Sequence, residues 1–186
     1  LNMKNESSNS STLLLLLLFF CSSCASLQGT FVEELSVEYR MNPLGVDTSK
    51  PRFSWKIDSE QREITQLAYQ LIVGECVDEI QNKKGNFWDS GKIYSDRTVN
   101  VEYEGKALES NQKYYWRVGV WLNNSTVVWS NPTYFHVGFL DPGEWKARWV
   151  TTREEIVDAS PLFRKEFSIN KKVKQAYAFV TACGFY

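Results

Sequence analysis

The 186 residues are 43% hydrophobic, 15% aromatic and 23% charged, which excludes a disordered or fibrous chain. Lys and Arg number 21 against 22 Asp and Glu, a formal net charge of −1, and no Lys/Arg stripe runs along the chain, so no long-range field draws a polyanion and nucleic acid is not expected as a partner. The length allows about one to two domains.

The chain opens on a leader. Leu13 to Phe20 read LLLLLLFF, too short for the roughly 20 apolar residues of a membrane-spanning helix but long enough for the apolar region of a signal peptide. Met3 is the expected start, with Lys4 and Glu6 in the polar segment before the apolar run. Cys21-Ser22-Ser23-Cys24-Ala25-Ser26 comes next, and small residues immediately before a cysteine resemble a bacterial lipoprotein box. Residues 1–23 are therefore expected to be a lipoprotein-type signal peptide, with Cys24 lipidated, the membrane reached through that anchor, and residues 24–34 as a linker. Cleaved secretion without a lipid and a non-cleaved anchor are the alternatives. The destination is the periplasm, the outer-membrane surface or the exterior.

Beyond the leader only Cys76 and Cys183 remain, in segments that read as different domains. No disulfide framework, zinc site or thiol-redox motif is evident, and neither metal nor cofactor is expected. Sequons at Asn5, Asn9, Asn123 and Asn124 matter only in a eukaryotic host, against which the leader argues.

Residues 35–139 read as strands broken by turns, and no ten-residue stretch carries a helical period. Leu35-Ser36-Val37-Glu38-Tyr39 alternates apolar and polar, and Asn42-Pro43-Leu44-Gly45 supplies a turn. Arg52 to Ile57 alternates again and puts Phe53, Trp55 and Ile57 on one face. Ala68 to Val73 forms a third strand, with turn signals after it at Asp89-Ser90-Gly91 and Gly105. In Leu108 to Val120, a Leu six residues before Tyr114 resembles the tyrosine corner of fibronectin type III domains, whose hydroxyl bonds a backbone group upstream. Ser110 stands where that motif often has Pro. Tyr114, Trp116, Val118 and Val120 are then expected to face the core, and Tyr115, Arg117 and Trp121 to face outward. Trp129-Ser130-Asn131-Pro132 and Tyr134 to Val137 close the domain. Seven short strands at this spacing predict an all-β sandwich of the fibronectin type III or immunoglobulin-like kind, with Trp55, Tyr114 and Trp116 as its structural residues.

Leu140-Asp141-Pro142-Gly143 reads as a turn-rich linker. Trp145 to Val150, Pro161 to Phe167 and Lys174 to Val180 read as three further strands, so residues 140–186 are expected to be the start of a second, truncated β-sandwich, incomplete because three strands bury too little apolar surface to stand alone.

The order Tyr39-Arg40-Met41-Asn42-Pro43-Leu44-Gly45-Val46-Asp47, Pro51 to Trp55, Gln66 to Gln70, Trp88 to Lys92 and Tyr115 to Val118 resembles the N-terminal region of bacterial α-L-rhamnosidases, glycoside hydrolase family seventy-eight. Trp145 to Trp149, Pro161 to Phe167 and Ala176 to Tyr186 resemble the start of that family's next β-sandwich. The resemblance implies an accessory region of an enzyme that removes terminal α-L-rhamnose from glycosides or polysaccharides with inversion. A rhamnosylated glycan is then the partner of a catalytic (α/α)6 barrel missing from this chain. Such chemistry needs two carboxyl groups about 6.5–9.5 Å apart across the glycosidic bond. None is expected here: Glu33-Glu34 and Glu154-Glu155 are neighbours that point to opposite faces of a strand, Asp89 serves its own turn, and His136 lacks a nucleophile. The catalytic residues are thus expected to be none in this segment, and the segment alone inert. Outward rings such as Tyr115 and Trp121 pack a neighbouring domain or stack a sugar, and Lys and Arg outside the leader read as ordinary surface. The rival readings are a non-enzymatic cell-surface adhesion or carbohydrate-binding module, and an accessory region of another glycoside hydrolase.

Overall fold

The structure, a computed structural model, describes residues 29–151 and 162–182. Strands are β1 Thr30–Val37, β2 Leu44–Val46, β3 Arg52–Ser59, β4 Gln66–Gly74, β5 Trp88–Asp89, β6 Val101–Glu102, β7 Lys113–Leu122, β8 Val127–Trp129 and β9 Thr133–Val137. One short helix, α1 Val77–Gln81, and a 3-10 turn at Pro142–Glu144 complete the described elements. They form two sheets, one ordered β1-β3-β6 and the other β2-β9-β7-β4-β5 with β8 also on β7. All pairs are antiparallel except β2 with β9.

The core is the space between the sheets. Phe53, Trp55, Leu71, Val73, Tyr114, Trp116, Val118, Val120, Phe135 and Val137 are buried there together, each burial worth roughly 1.5–3 kcal/mol relative to exposure. Rings dominate because they span the gap between two sheets. Phe53 meets Trp116 edge to face at 4.7 Å and Phe135 at 5.7 Å, while Trp55 meets Tyr69 at 5.3 Å. β7 alternates as its sequence dictates: Tyr114, Trp116, Val118, Val120 and Leu122 are buried, and Lys113, Tyr115, Arg117 and Trp121 lie half-exposed on the other side. Gln66 is one of three buried polar side chains among the described residues, with Ser130 and His136. Its Oε1 accepts from Trp55 Nε1 at 3.0 Å, and its Nε2 donates to the carbonyls of Ser95 and Arg97, both at 3.0 Å. That network satisfies the indole and pins the chain where it crosses beside β4.

Among the described residues nine strands form where seven are read from the sequence, and four of the nine are only two or three residues long and carry no period. Asn42-Pro43-Leu44-Gly45, read as a turn, instead leads directly into β2, with Gly45 in the left-handed region at φ 78°. β1 begins at Thr30 rather than Leu35, so the expected linker 24–34 overlaps the first strand. A bulge between Glu33 and Ser36, with Glu34 at φ 46°, interrupts the alternation and hides the earlier half of the strand. The strand also stops at Val37. Glu38 (φ 48°) and Tyr39 (φ 63°) form a tight turn closed by Val37 and Arg40, which exchange hydrogen bonds of 2.9 and 3.1 Å, and Tyr39 is exposed instead of joining the core face. Two non-glycine residues at positive φ are costly. Here the Glu38 carboxylate offsets that cost by accepting from the Arg52 backbone N–H at 2.8 Å and its guanidinium at 3.1 and 2.6 Å.

The chain divides into two compact units, Leu1–Lys146 and Ala147–Tyr186. In the second, residues 147–151 and 162–182 contain no strand, so the three predicted from Trp145, Pro161 and Lys174 onward do not form among the described residues. Leu162 is 98% exposed, and Phe163, Phe167, Ile169 and Val180 are also exposed. With so little apolar surface buried, nothing offsets the entropy of fixing extended backbone. Cys24, Cys183, Pro161, the Glu154-Glu155 pair and the sequons at Asn5 and Asn9 lie outside the described residues.

Candidate functional site

Two features concentrate the unusual chemistry of the first unit: the corner that fixes β7 and the outer face of the larger sheet. At the corner, the backbone N–H of Glu109 donates to the Tyr114 hydroxyl at 3.0 Å. Leu108 is buried beneath it, and the Tyr114 ring stacks on Phe135 at 5.6 Å and meets Phe87 at 4.7 Å. Burial pushes the Tyr114 phenol above its ordinary pKa, so it stays protonated at neutral pH. Trp116, the next inward ring, is fully buried, and its Nε1–H has no protein acceptor.

Ser110 extends the corner. Its Oγ accepts from the Leu140 N–H at 3.0 Å and bonds the Glu144 carboxylate, and Asn111 N–H donates to the Gly138 carbonyl at 3.0 Å. Residues 141–144 form a capping box, in which Asp141 Oδ1 accepts from Gly143 N–H at 2.8 Å and Glu144 reaches back to the Asp141 N–H at 3.3 Å. Phe139 and Trp145 meet edge to face at 5.2 Å. The segment expected to be a turn-rich linker is a bonded turn that fixes the exit from the sandwich. The spacing of Asp141 and Glu144 is the signal in the sequence, since an acceptor with Glu three residues later marks such a box.

The carboxylates singled out from the sequence that lie within the described residues are engaged locally. Glu33 faces Lys56 across the ladder, and Glu34 pairs with Lys56 at 2.5 Å. Asp89 accepts from Gly91 N–H at 2.9 Å and from Gln70 at 2.6 Å. An open depression of about 260 Å³ has Glu38 and Asp47 on its rim, but Glu38 is engaged by Arg52, which holds its carboxyl below the usual range. His136 is buried between β2 and β7, where it faces Leu44 and Lys113; burial first, then the Lys113 charge, pushes its pKa down and keeps the ring neutral. No group of three or more His, Cys, Asp or Glu side chains that could hold a metal is present among the described residues, and Cys76 is exposed and free.

The outward residues do gather. Tyr115 meets Tyr134 at 6.4 Å with Lys113 over both rings, whereas Trp121 meets Trp129 at 6.5 Å, farther along β7. Tyr115 and Trp121 thus lie on one face but in separate ring clusters. Trp129 reads in the sequence only as part of the closing segment, because nothing local reports its cross-strand neighbours.

A two-sheet β-sandwich pinned by a tyrosine corner is a domain of immunoglobulin type. Residues 32–141 match the Rha78A-like, N-terminal immunoglobulin domain, and the chain belongs to that family. An α-L-rhamnosidase of Formosa agariphila is 31% identical over 194 residues, covering 89% of this chain and 20% of the relative. Two solved structures are similar: the Streptomyces avermitilis α-L-rhamnosidase complexed with L-rhamnose (35% identity, TM-score 0.62, 66% of this chain and 12% of that one) and the α-L-rhamnosidase from Dictyoglumus thermophilum (37%, 0.63, 67% and 14%). The chain spans about a fifth or less of the length of the curated relatives it matches.

Proposed function

We propose that this chain is the N-terminal accessory region of an exported α-L-rhamnosidase, an enzyme that hydrolyses terminal α-L-rhamnose from glycosides or polysaccharides with inversion. The carrying observation is the family domain over residues 32–141, set beside α-L-rhamnosidases of which this chain covers 20% or less. In a supporting role the sandwich leaves the acid and base to a separate catalytic domain. The rhamnosylated glycan is engaged there, and the sandwich with its fixed exit spaces and orients the domains C-terminal to it. The leader exports the protein, and Cys24 carries a lipid that holds it at the membrane.

The test has two arms. The product of the longer reading frame, incubated with an aryl α-L-rhamnoside, should release β-L-rhamnose first by NMR; release of the α-anomer would contradict inversion. Cys24→Ser should move the protein from the membrane to the soluble fraction, and unchanged partitioning would remove the anchor from the account.

A further inference from the structure

On the outer face of the larger sheet, rings and cations alternate across the strands. Lys92 Nζ lies 4.8 Å from the Tyr94 ring centroid and 4.7 Å from that of Trp121. Trp121 meets Trp129 edge to face, and Trp129 carries two cations, Lys83 Nζ at 5.0 Å and Arg117 Cζ at 5.1 Å. The ladder explains the alignment: Trp129 stands opposite Gly119, Val127 opposite Trp121, and Ile93 bridges to Tyr69, leaving Lys92 and Tyr94 outward. A Cβ at Gly119 would lie 2.5 Å from the Trp129 ring, so only glycine lets that indole settle on the backbone of β7. The row crosses β8, β7, β4 and the 92–94 segment, about 14 Å at the usual strand spacing.

Cations over rings can be mere cover for exposed indoles. Two observations favour a ligand. None of Lys83, Lys92 or Arg117 pairs with a carboxylate among the described residues, whereas Lys50, Lys56 and Arg52 in the same unit all do. Asp89, a carboxylate the ladder places on this face opposite Ile72, bonds Gln70 and the Gly91 N–H rather than any of these cations. Arg117 is also fixed, its NH1 donating to the Gln81 carbonyl at 3.0 Å, while desolvation pushes its pKa down. A chain of net charge −1 thus presents, beside half-exposed indoles, three cations that form no ion pair among the described residues. Flat apolar rings suit the C–H faces of a pyranose, and the cations suit acidic substituents.

We propose that the face formed by Tyr94, Lys92, Trp121, Trp129, Lys83 and Arg117 binds an anionic saccharide, one bearing carboxylate or sulfate groups. The choice of a saccharide over other anions rests on the proposed function; the charge and its placement do not. Binding would let the accessory domain hold a charged polysaccharide near the enzyme it belongs to.

The full 186-residue chain is titrated, by tryptophan fluorescence and calorimetry, with oligogalacturonate, sulfated dextran oligosaccharide, uncharged dextran of equal length and single-stranded DNA. Saturable binding to one or both acidic saccharides, at least tenfold tighter than to dextran and to DNA, is expected. The uronate and sulfate arms separate the two sources of charge. Trp129→Ala should weaken that binding at least tenfold, and the Lys83→Gln/Lys92→Gln pair, which leaves the rings in place, at least fivefold, with the thermal midpoint of the pair unchanged. Equal binding to dextran, tighter binding to DNA, no binding, or full affinity in the charge-neutral pair would each overturn the proposal. None of those results bears on whether the longer product hydrolyses rhamnosides.

Discussion

Replacing Tyr114 with Phe isolates one atom of the corner. Phe retains the stack on Phe135 at 5.6 Å and the contact with Phe87 at 4.7 Å, so no cavity opens. The change removes the acceptor for the Glu109 N–H, a partly buried bond of 3.0 Å. A net hydrogen bond is worth about 0.5–1.5 kcal/mol, and a buried donor left unmatched costs about 1–3 kcal/mol. Partial solvent access at Glu109 places the loss near the lower end, about 1–2 kcal/mol. For a domain of this size that is roughly 4–8 °C in thermal midpoint. Urea unfolding monitored by tryptophan fluorescence should show a lower midpoint at unchanged slope. Tyr94→Phe, at a ring 79% exposed, is the control and should be silent. A Tyr114→Phe change within about 0.5 kcal/mol of the parent, the range of an inert surface substitution, would show that the corner bond holds nothing together.

Gln66→Leu strands Trp55 Nε1 and the carbonyls of Ser95 and Arg97; a loss of about 3 kcal/mol is expected in the same urea assay, and a neutral result would contradict the network. His136 is held neutral by burial, so its folded pKa lies below its unfolded one. Between pH 7 and 5 the unfolded chain takes up a proton that the folded chain refuses, and stability should fall as pH drops through 6.5. His136→Gln should flatten that slope, and an identical pH profile would refute the assignment. Tyr69, Tyr103 and Tyr114 are shifted the other way by burial, so their contribution is complete below pH 10 and is lost as pH rises through the elevated folded values. Alkaline titration should show delayed phenolate absorbance at 295 nm, released together with unfolding. Glu38→Ala removes the acceptor of Arg52 and of its backbone N–H in a partly exposed site; about 1 kcal/mol is expected, and it should shrink in 1 M salt.

The sandwich was legible because burial imposes a period of two wherever strands are long. β3 and β7 show it cleanly, and the inward set of Trp55, Tyr114 and Trp116 comes directly from that alternation. β4 is less transparent: Ile72 points to the outer side yet is fully buried, as is Ile80 of α1, the helix that packs beside β4. The early half of β1 was hidden by its bulge, and the turn at Glu38-Tyr39 by residues that rarely adopt positive φ. β2 depends on β9, a partner far along the chain, which no local pattern reports. The outer face was half visible. Tyr115 and Trp121 could be placed by alternation, but the approach of Lys92, Lys83 and Trp129 depends on cross-strand pairing and on Gly119 lying beneath an indole. Beyond Trp145 the apolar pattern stands without paired strands among the described residues.

The central claim is that these residues are scaffold and that the hydrolytic groups lie in a separate domain. Side-by-side turnover of an aryl α-L-rhamnoside, by this 186-residue chain and by the product of the longer reading frame at equal concentration, tests it directly. The account predicts steady release of the aryl alcohol by the longer product and none above buffer by this chain. Turnover by this chain alone, or an inert longer product that is folded, would contradict it.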